Sequence, residues 1–152
     1  MAGLWAWWRR RGADDPVGDR RRTGRRGERA AERFLRRRGH RILARNVACR
    51  QGEVDLVTLE RASGTVCFVE VRSRQLAPGA GAVVEPEATV TLAKRRRVAS
   101  AARKFLADRH AWAAGRPVRF DVVAVRFPAA GRGRPEVRHF PGAFDAAGGL
   151  LA

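Results

Sequence analysis

The chain is poor in acids, in cysteine and in long apolar runs. It has 15 Asp and Glu against 32 Lys and Arg, for a formal net charge of +17 at pH 7. Its two cysteines, Cys49 and Cys67, are too few for a disulfide scaffold. Cys67 lies inside an apolar strand pattern and reads as core packing; Cys49 has no second soft ligand beside it to suggest zinc. No apolar run approaches the ~18–20 residues that span a membrane. The opening Leu4-Trp5-Ala6-Trp7-Trp8 is too short for the apolar region of a signal peptide, and Arg9-Arg10-Arg11 follow it on the wrong side. A cytoplasmic protein is therefore expected. Internal repeats and base-reading motifs are also lacking, so nothing predicts sequence specificity.

What remains is a foldable, strongly basic chain. With 152 residues and 45% hydrophobic content it can build one domain around a real core. The arginine excess points to a phosphate-rich partner, above all nucleic acid; the plainer alternative is a solubilising surface. Residues 1–23 hold Gly, Pro, Asp and Arg runs without periodicity and read as a mobile basic arm. Its tryptophans could touch a membrane surface or stack on bases. They could equally be an extension without a role, or reflect the choice of start codon.

Residues 24–152 read as the folded domain. Ala30, Ala31, Phe34 and Leu35 form one stripe at helical spacing, and Gly39 is a natural stop. Glu28 and Glu32 border that stripe. They are either i,i+4 partners of arginines (Glu32 with Arg36) or, for Glu28, an acid that looks over the sheet edge. Strand patterns cover 40–50, 53–59, 65–74 and 119–125, with a short edge strand over 136–140. A second helix is expected from about Thr91 to Asp108, after an irregular loop over 75–88. The order helix, three strands, helix, two strands predicts an α/β fold: a mixed β-sheet of about five strands flanked by helices.

Two acidic clusters stand inside these apolar strands: Gly52-Glu53-Val54-Asp55-Leu56-Val57 and Phe68-Val69-Glu70-Val71-Arg72-Ser73-Arg74. Parity puts Glu53 with Asp55 on one face, and Glu70 with Arg72 on one face, roughly 6–7 Å apart along the strand. If the two strands pair antiparallel through the loop at Gly64, Asp55 can sit beside Glu70. Two adjacent carboxylates repel unless a proton or a cation lies between them. A hard divalent ion, Mg²⁺ or Mn²⁺, suits such an oxygen-rich site. The alternative is a pair of ordinary ion pairs with Arg72 and Arg74. Lys94, near the start of the second helix, either reaches this site or snorkels at the surface. Arg36, Arg37, Lys94, Arg95 and Arg96 could track phosphates, and Arg74 extends the same basic set.

Several segments in one order carry a resemblance. They are Gly27-Glu28-x-x-Ala31, Ile42-Leu43-Ala44-Arg45-Asn46, the two acidic strands, Lys94-Arg95-Arg96-Arg97 and Arg119-Phe120-Asp121-Val122-Val123. Over about residues 24–144 the chain resembles the YraN family of small nuclease-like proteins. That family belongs to the PD-(D/E)xK nuclease-like fold and is similar to archaeal Holliday-junction resolvases. The resemblance implies a restriction-endonuclease-like core in which Glu28, Asp55 and Glu70 surround a metal, with the carbonyl of Val71 as a further ligand. It implies an endonuclease hydrolysing phosphodiester bonds in structured or branched DNA, with Arg72 aiding the attacking water. One position departs from the pattern: Arg72 stands where the family has lysine, and an arginine cannot act as a base. The alternatives are a nucleic-acid-binding module that keeps the fold with weak or no hydrolysis, or an adaptor for a protein partner in DNA repair or recombination. Symmetric cleavage of a junction would call for a homodimer.

Overall fold

The computed structural model describes residues 17–76, 90–129 and 133–149, the side chains of 17–20 excepted. The tryptophan segment and most of the 75–88 loop lie outside the described residues. The elements are α1 (Val17–Arg37), β1 (His40–Cys49), β2 (Gly52–Glu60), β3 (Thr65–Gln75), α2 (Leu92–Asp108), the short α3 (His110–Ala113), β4 (Val118–Phe127) and β5 (Glu136–Phe144). They form one five-stranded sheet in the order β1-β2-β3-β4-β5. Every neighbouring pair is antiparallel except β3 and β4, which run parallel. That parallel pair needs a long crossover, and α2 and α3 lie within it. The result is the expected mixed sheet flanked by helices.

Strand parity explains the two cores. Val66, Phe68, Phe120, Val122 and Phe144 meet Val98, Ala101, Ala102 and Phe105 of α2 on one face. Leu56, Cys67, Val69, Val123, Val125 and Phe127 meet Ala30, Ala31 and Leu35 of α1 on the other. Adjacent residues of one strand, such as Val122 and Val123, thus serve opposite layers.

Helix α1 starts earlier than the sequence predicts. Residues 17–23, read as part of a mobile arm, belong to the helix. Arginine is a good helix former, so a run without an apolar stripe can still be helical. Tertiary contacts hold this first half: Ser73 Oγ donates to the Thr23 carbonyl at 3.2 Å, and the Arg26 guanidinium lies 4.3 Å over the Phe127 ring. At the other end Gly39 takes φ +85°, the left-handed conformation that closes a helix at low cost.

The turn Arg50-Gln51 brings Gly52 against α2. A Cβ on Gly52 would lie 1.8 Å from the Arg97 carbonyl oxygen, a backbone atom that cannot swing away. Gly52→Ala should therefore destabilise the protein by about 1–3 kcal/mol, the range for overpacking, as measured by urea unfolding. A loss below about 0.5 kcal/mol would show that α2 shifts freely on the sheet.

Candidate metal and phosphate site

The site lies where two strands part. β2 and β3 stay in register from Glu60 opposite Thr65 to Leu56 opposite Val69, and the pairing ends there. Asp55 and Glu70 are the next residues along, at the mouth of the opening. Asp55 Oδ2 accepts the Val71 N–H at 2.7 Å, so a carboxylate replaces the ladder bond the parting strands give up. Beyond this point β3 continues on β4, with Glu70 opposite Val122 and Arg72 opposite Ala124.

Glu70 is 1% exposed and is one of the largest fully buried side chains of the core. Its carboxyl neighbours that of Asp55, and the two acids influence each other's ionisation. Its Oε2 is buried and has no hydrogen-bond partner among the described residues. Burial first, and then the Asp55 charge, push the Glu70 carboxyl up to about 8, against the pull of Lys94 and Arg72. Asp55 is also raised, by burial, although the Val71 N–H and Lys94 oppose the shift.

Two cations close over the pair. Lys94 Nζ lies 3.0 Å from Glu53 Oε1 and 3.5 Å from Glu70 Oε1. Thr91 caps α2 by accepting the Lys94 N–H, which fixes the first turn that carries this side chain. Partial burial draws the Lys94 ammonium down, but Glu70, the Glu53 bond and Asp55 together lift it above the ordinary lysine range. Arg72 Nη1 stands 3.7 Å from Glu70 Oε1.

The two acids of α1 take separate roles. Glu32 accepts Arg36 and Arg45 and is held down to about 2, first by the Arg45 hydrogen bond. Glu28 is close enough to Asp55 to feel its charge, while the neighbouring Asn46 side chain and Arg25 favour its ionised form. Partial burial and the Asp55 charge raise its carboxyl above the usual range.

The structure thus gathers Glu28, Asp55, Glu70, Arg72 and Lys94, and Val71 joins through its backbone N–H. Arg74 follows Arg72 on the same face of β3, half-buried, while Arg95 and Arg96 flank Lys94 on the first turns of α2. Arg95 buries Nε and Nη1 without a hydrogen-bond partner among the described residues. Arg36 and Arg37 are not brought to Glu28, Asp55 or Glu70. They end α1, and Arg36 is about 12 Å along the helix from Glu28.

Sequence reasoning misses two participants. Glu53 shares the Asp55 face, so parity is a sufficient signal for it. Asn46 gives no signal beyond its residue type. A separate buried network also escapes the sequence: Asp121 accepts Arg119, His139 and the Gly142 N–H, and Arg119 also reaches Glu60.

The donor chemistry fits a hard cation: carboxylate oxygens from three elements, all three acids raised first by desolvation, and a buried oxygen left without a partner. Among the described residues no group of three His, Cys, Asp or Glu side chains stands ready-made around one point. Lys94 holds two of the carboxylates instead. No helix among the described residues is long and apolar enough to cross a membrane.

Known sequences place the chain. The model of the uncharacterised protein family UPF0102 matches residues 27–125. A UPF0102 protein of Anaeromyxobacter sp. (strain Fw109-5) is 50% identical over 132 residues, covering 87% of this chain and 91% of that protein. One of Myxococcus xanthus is 46% identical over 129 residues, 84% and 93% of the two chains. One of Pseudomonas aeruginosa is 42% identical over 123 residues, 81% and 92%. The matched span includes every residue of the site.

Proposed function

The chain belongs to the uncharacterised protein family UPF0102, the YraN family its motifs resemble, and from that premise we propose that it is a Mg²⁺- or Mn²⁺-dependent endonuclease acting on structured DNA in the cytoplasm. The observation that carries the reading is the Asp55–Glu70 pair. A buried carboxyl set beside a second one, with an unpartnered oxygen and two cations at its rim, is a poor structural device. It is a good device for holding charge that arrives from outside.

Glu28, Asp55 and Glu70 would hold the ion, with the Val71 carbonyl as a further oxygen. A divalent ion bound there polarises a phosphoryl oxygen and acidifies a water. The chain's own residues do the rest. Arg72 stays charged at any working pH, so it orients the water and stabilises charge on the phosphoryl oxygens without taking a proton. Lys94, drawn toward the acids, adds a second cation beside the phosphate. Arg74, Arg95 and Arg96 neutralise neighbouring phosphates, while Arg36 and Arg37 lie further along the path of a long duplex. A homodimer would place two such sites on the arms of a symmetric junction.

A second reading has its own observation. Arg72 replaces the family lysine, and Lys94 is already engaged by Glu53. A nucleic-acid-binding module with weak or no hydrolysis, serving a partner in DNA repair or recombination, fits those facts. The test uses purified protein with linear, flapped and four-way-junction DNA in Mn²⁺, Mg²⁺ or EDTA. The enzyme reading expects cutting in metal only, reduced roughly 10²–10³-fold in Asp55→Ala. DNA binding by that variant in EDTA should survive and fall steeply with salt. Tight, salt-sensitive binding with no cutting in either metal would leave the binding-module reading standing. Arg72→Lys is informative in both directions: a gain of about tenfold or more in cutting would mark the arginine as a handicap at a general acid–base position.

A further inference from the structure

Five arginines crowd the first half of α1: Arg21, Arg22, Arg25, Arg26 and Arg29, with Glu28 the one acid among residues 21–29. The crowding does not serve the helix. Arg21 and Arg25, Arg22 and Arg26, and Arg25 and Arg29 are each four residues apart, where like charges repel. Gly24 and Gly27 weaken the same turns. Arg26 is seated over Phe127. Arg21, Arg22, Arg25 and Arg29 are exposed, and no hydrogen bond or ion pair holds them among the described residues. Periodicity sorts these four. At about 100° per residue, Arg21 and Arg25 share the edge of α1 that carries Glu28 and Glu32, while Arg22 and Arg29 turn away from the sheet. Contacts fix where that edge looks. Glu32 takes Arg45 of β1, whereas Gly27 seats on Ser73 of β3. The edge therefore faces the β1–β2 side, and there the sheet opens. Beyond Leu56 and Val69, β2 leaves β3, and its Gly52 end is seated on α2 while α1 stays with β3. Arg25 and Arg21 stand roughly 5 and 10 Å along the axis from Glu28, toward that opening.

We propose that Arg21 and Arg25 are phosphate contacts, so that a nucleic-acid strand reaching the acids runs along the first half of α1. Charge complementarity names the occupant. A polyanion relieves the repulsion among these arginines, and each guanidinium has its donors free for phosphate oxygens. The opening is then basic on both sides, with Arg21 and Arg25 on α1 and Lys94, Arg95 and Arg96 on α2. Arg36 makes the contrast. It lies toward the end of α1 where β2 and β3 are paired, and Glu32 already answers its charge at 2.9 Å. The inference rests on the nucleic-acid reading proposed above, not on hydrolysis.

The test counts charges. Binding of the full chain to a short labelled duplex and to a labelled four-way junction is followed by fluorescence anisotropy in EDTA, across a salt series. Arg21→Gln/Arg25→Gln is compared with Arg36→Gln/Arg37→Gln and with wild type. The first pair should lower the slope of log affinity against log salt by about 2 and weaken binding roughly 10–100-fold near 0.1 M salt. The second pair should change the slope by less than about 1. Arg21→Lys/Arg25→Lys should keep the wild-type slope, because the slope reads charge and not side-chain shape. Melting temperatures of the Arg21→Gln/Arg25→Gln variant should hold or rise, since repulsion is removed. Should that variant melt lower, Arg25→Gln alone decides, with an expected slope change of about 1. An unchanged slope, or equal losses in the two glutamine pairs, would overturn the assignment and leave a general basic surface. A wild-type chain that binds neither DNA would overturn the nucleic-acid reading and this inference with it.

Discussion

Glu70→Gln is expected to raise the stability of the metal-free protein at pH 8 while reducing metal-dependent cleavage at least about 10³-fold. The opposite signs follow from one side chain. In the unfolded chain Glu70 titrates near 4.5; in the fold it is pushed up to about 8 by burial and by Asp55. Between those values the native state holds a proton that the unfolded state has released. Stability then falls as pH rises, by roughly 1.4 kcal/mol per pH unit across the window, and the fall is complete above the folded value. Over about pH 5–8 the loss is on the order of 3 kcal/mol. Glutamine removes the titration at nearly constant shape, and its amide carries a donor that a neighbouring Asp55 carboxylate can accept. Melting temperatures should therefore converge toward pH 5 and separate at pH 8, with the variant higher by roughly 2–4 °C per kcal/mol. Millimolar Mn²⁺ should raise the wild-type value at pH 8 and leave the variant nearly unmoved, because a ligand stabilises only the state that binds it. A variant less stable than wild type at pH 8 would show that Lys94 and Arg72 already stabilise the ionised carboxylate, and the case for an awaited cation would weaken.

The residues of this site differ in how far the sequence could announce them. Parity alone puts Glu53 with Asp55 and Glu70 with Arg72, because a strand alternates faces whatever surrounds it. It says nothing about where β2 and β3 separate, and that parting after Leu56 and Val69 is what opens the site. Glu28 and Glu32 sit four residues apart on one helix, and periodicity does not tell them apart. Arg45, from β1, captures Glu32 and leaves Glu28 to feel the charge of Asp55. For Lys94 the sequence balances the site against the surface; the tight seat of Gly52 on the Arg97 carbonyl and the Thr91 cap settle α2 where the side chain reaches Glu53. Apolar periodicity marks the start of α1 too late. The first half of that helix depends instead on arginine propensity and on contacts to Ser73 and Phe127. Asn46 shows the general limit: at φ 47° it is left-handed within a strand, and a single sequence does not display that.

Asp121→Ala is expected to be the most damaging substitution for the fold, costing about 3–5 kcal/mol and of the order of 10 °C in melting temperature. Asp121 is fully buried. Arg119 grips both its oxygens, at 2.8 and 3.0 Å, His139 Nε2 lies 2.8 Å away, and the Gly142 N–H donates at 2.9 Å. These partners outweigh burial and hold its carboxyl below the usual range, so the group stays ionised and its contribution is lost only as pH falls below about 4. The bonds sit at a specific defect of the sheet. Pairing of β4 with β5 jumps from Phe120–Phe144 to Val122–Phe140, and Asp121 spans the gap by taking the N–H of Gly142, whose φ is +63°. Alanine would leave that N–H, Arg119 and His139 short of a partner in the interior at once. An asparagine in place of the acid keeps one acceptor but turns an amide toward Arg119, so Asp121→Asn should cost less than alanine and more than about 1 kcal/mol. Parity assigns the network to architecture and not to the phosphate chemistry, because Asp121 pairs with Val69 on the α1 face while Glu70 and Arg72 point to the α2 face. Asp121→Ala held well below its lowered melting point should consequently still take up Mn²⁺ with wild-type affinity. Loss of uptake in a demonstrably folded Asp121→Ala would mean that the β4–β5 defect and the parting of β2 and β3 form one mechanical unit.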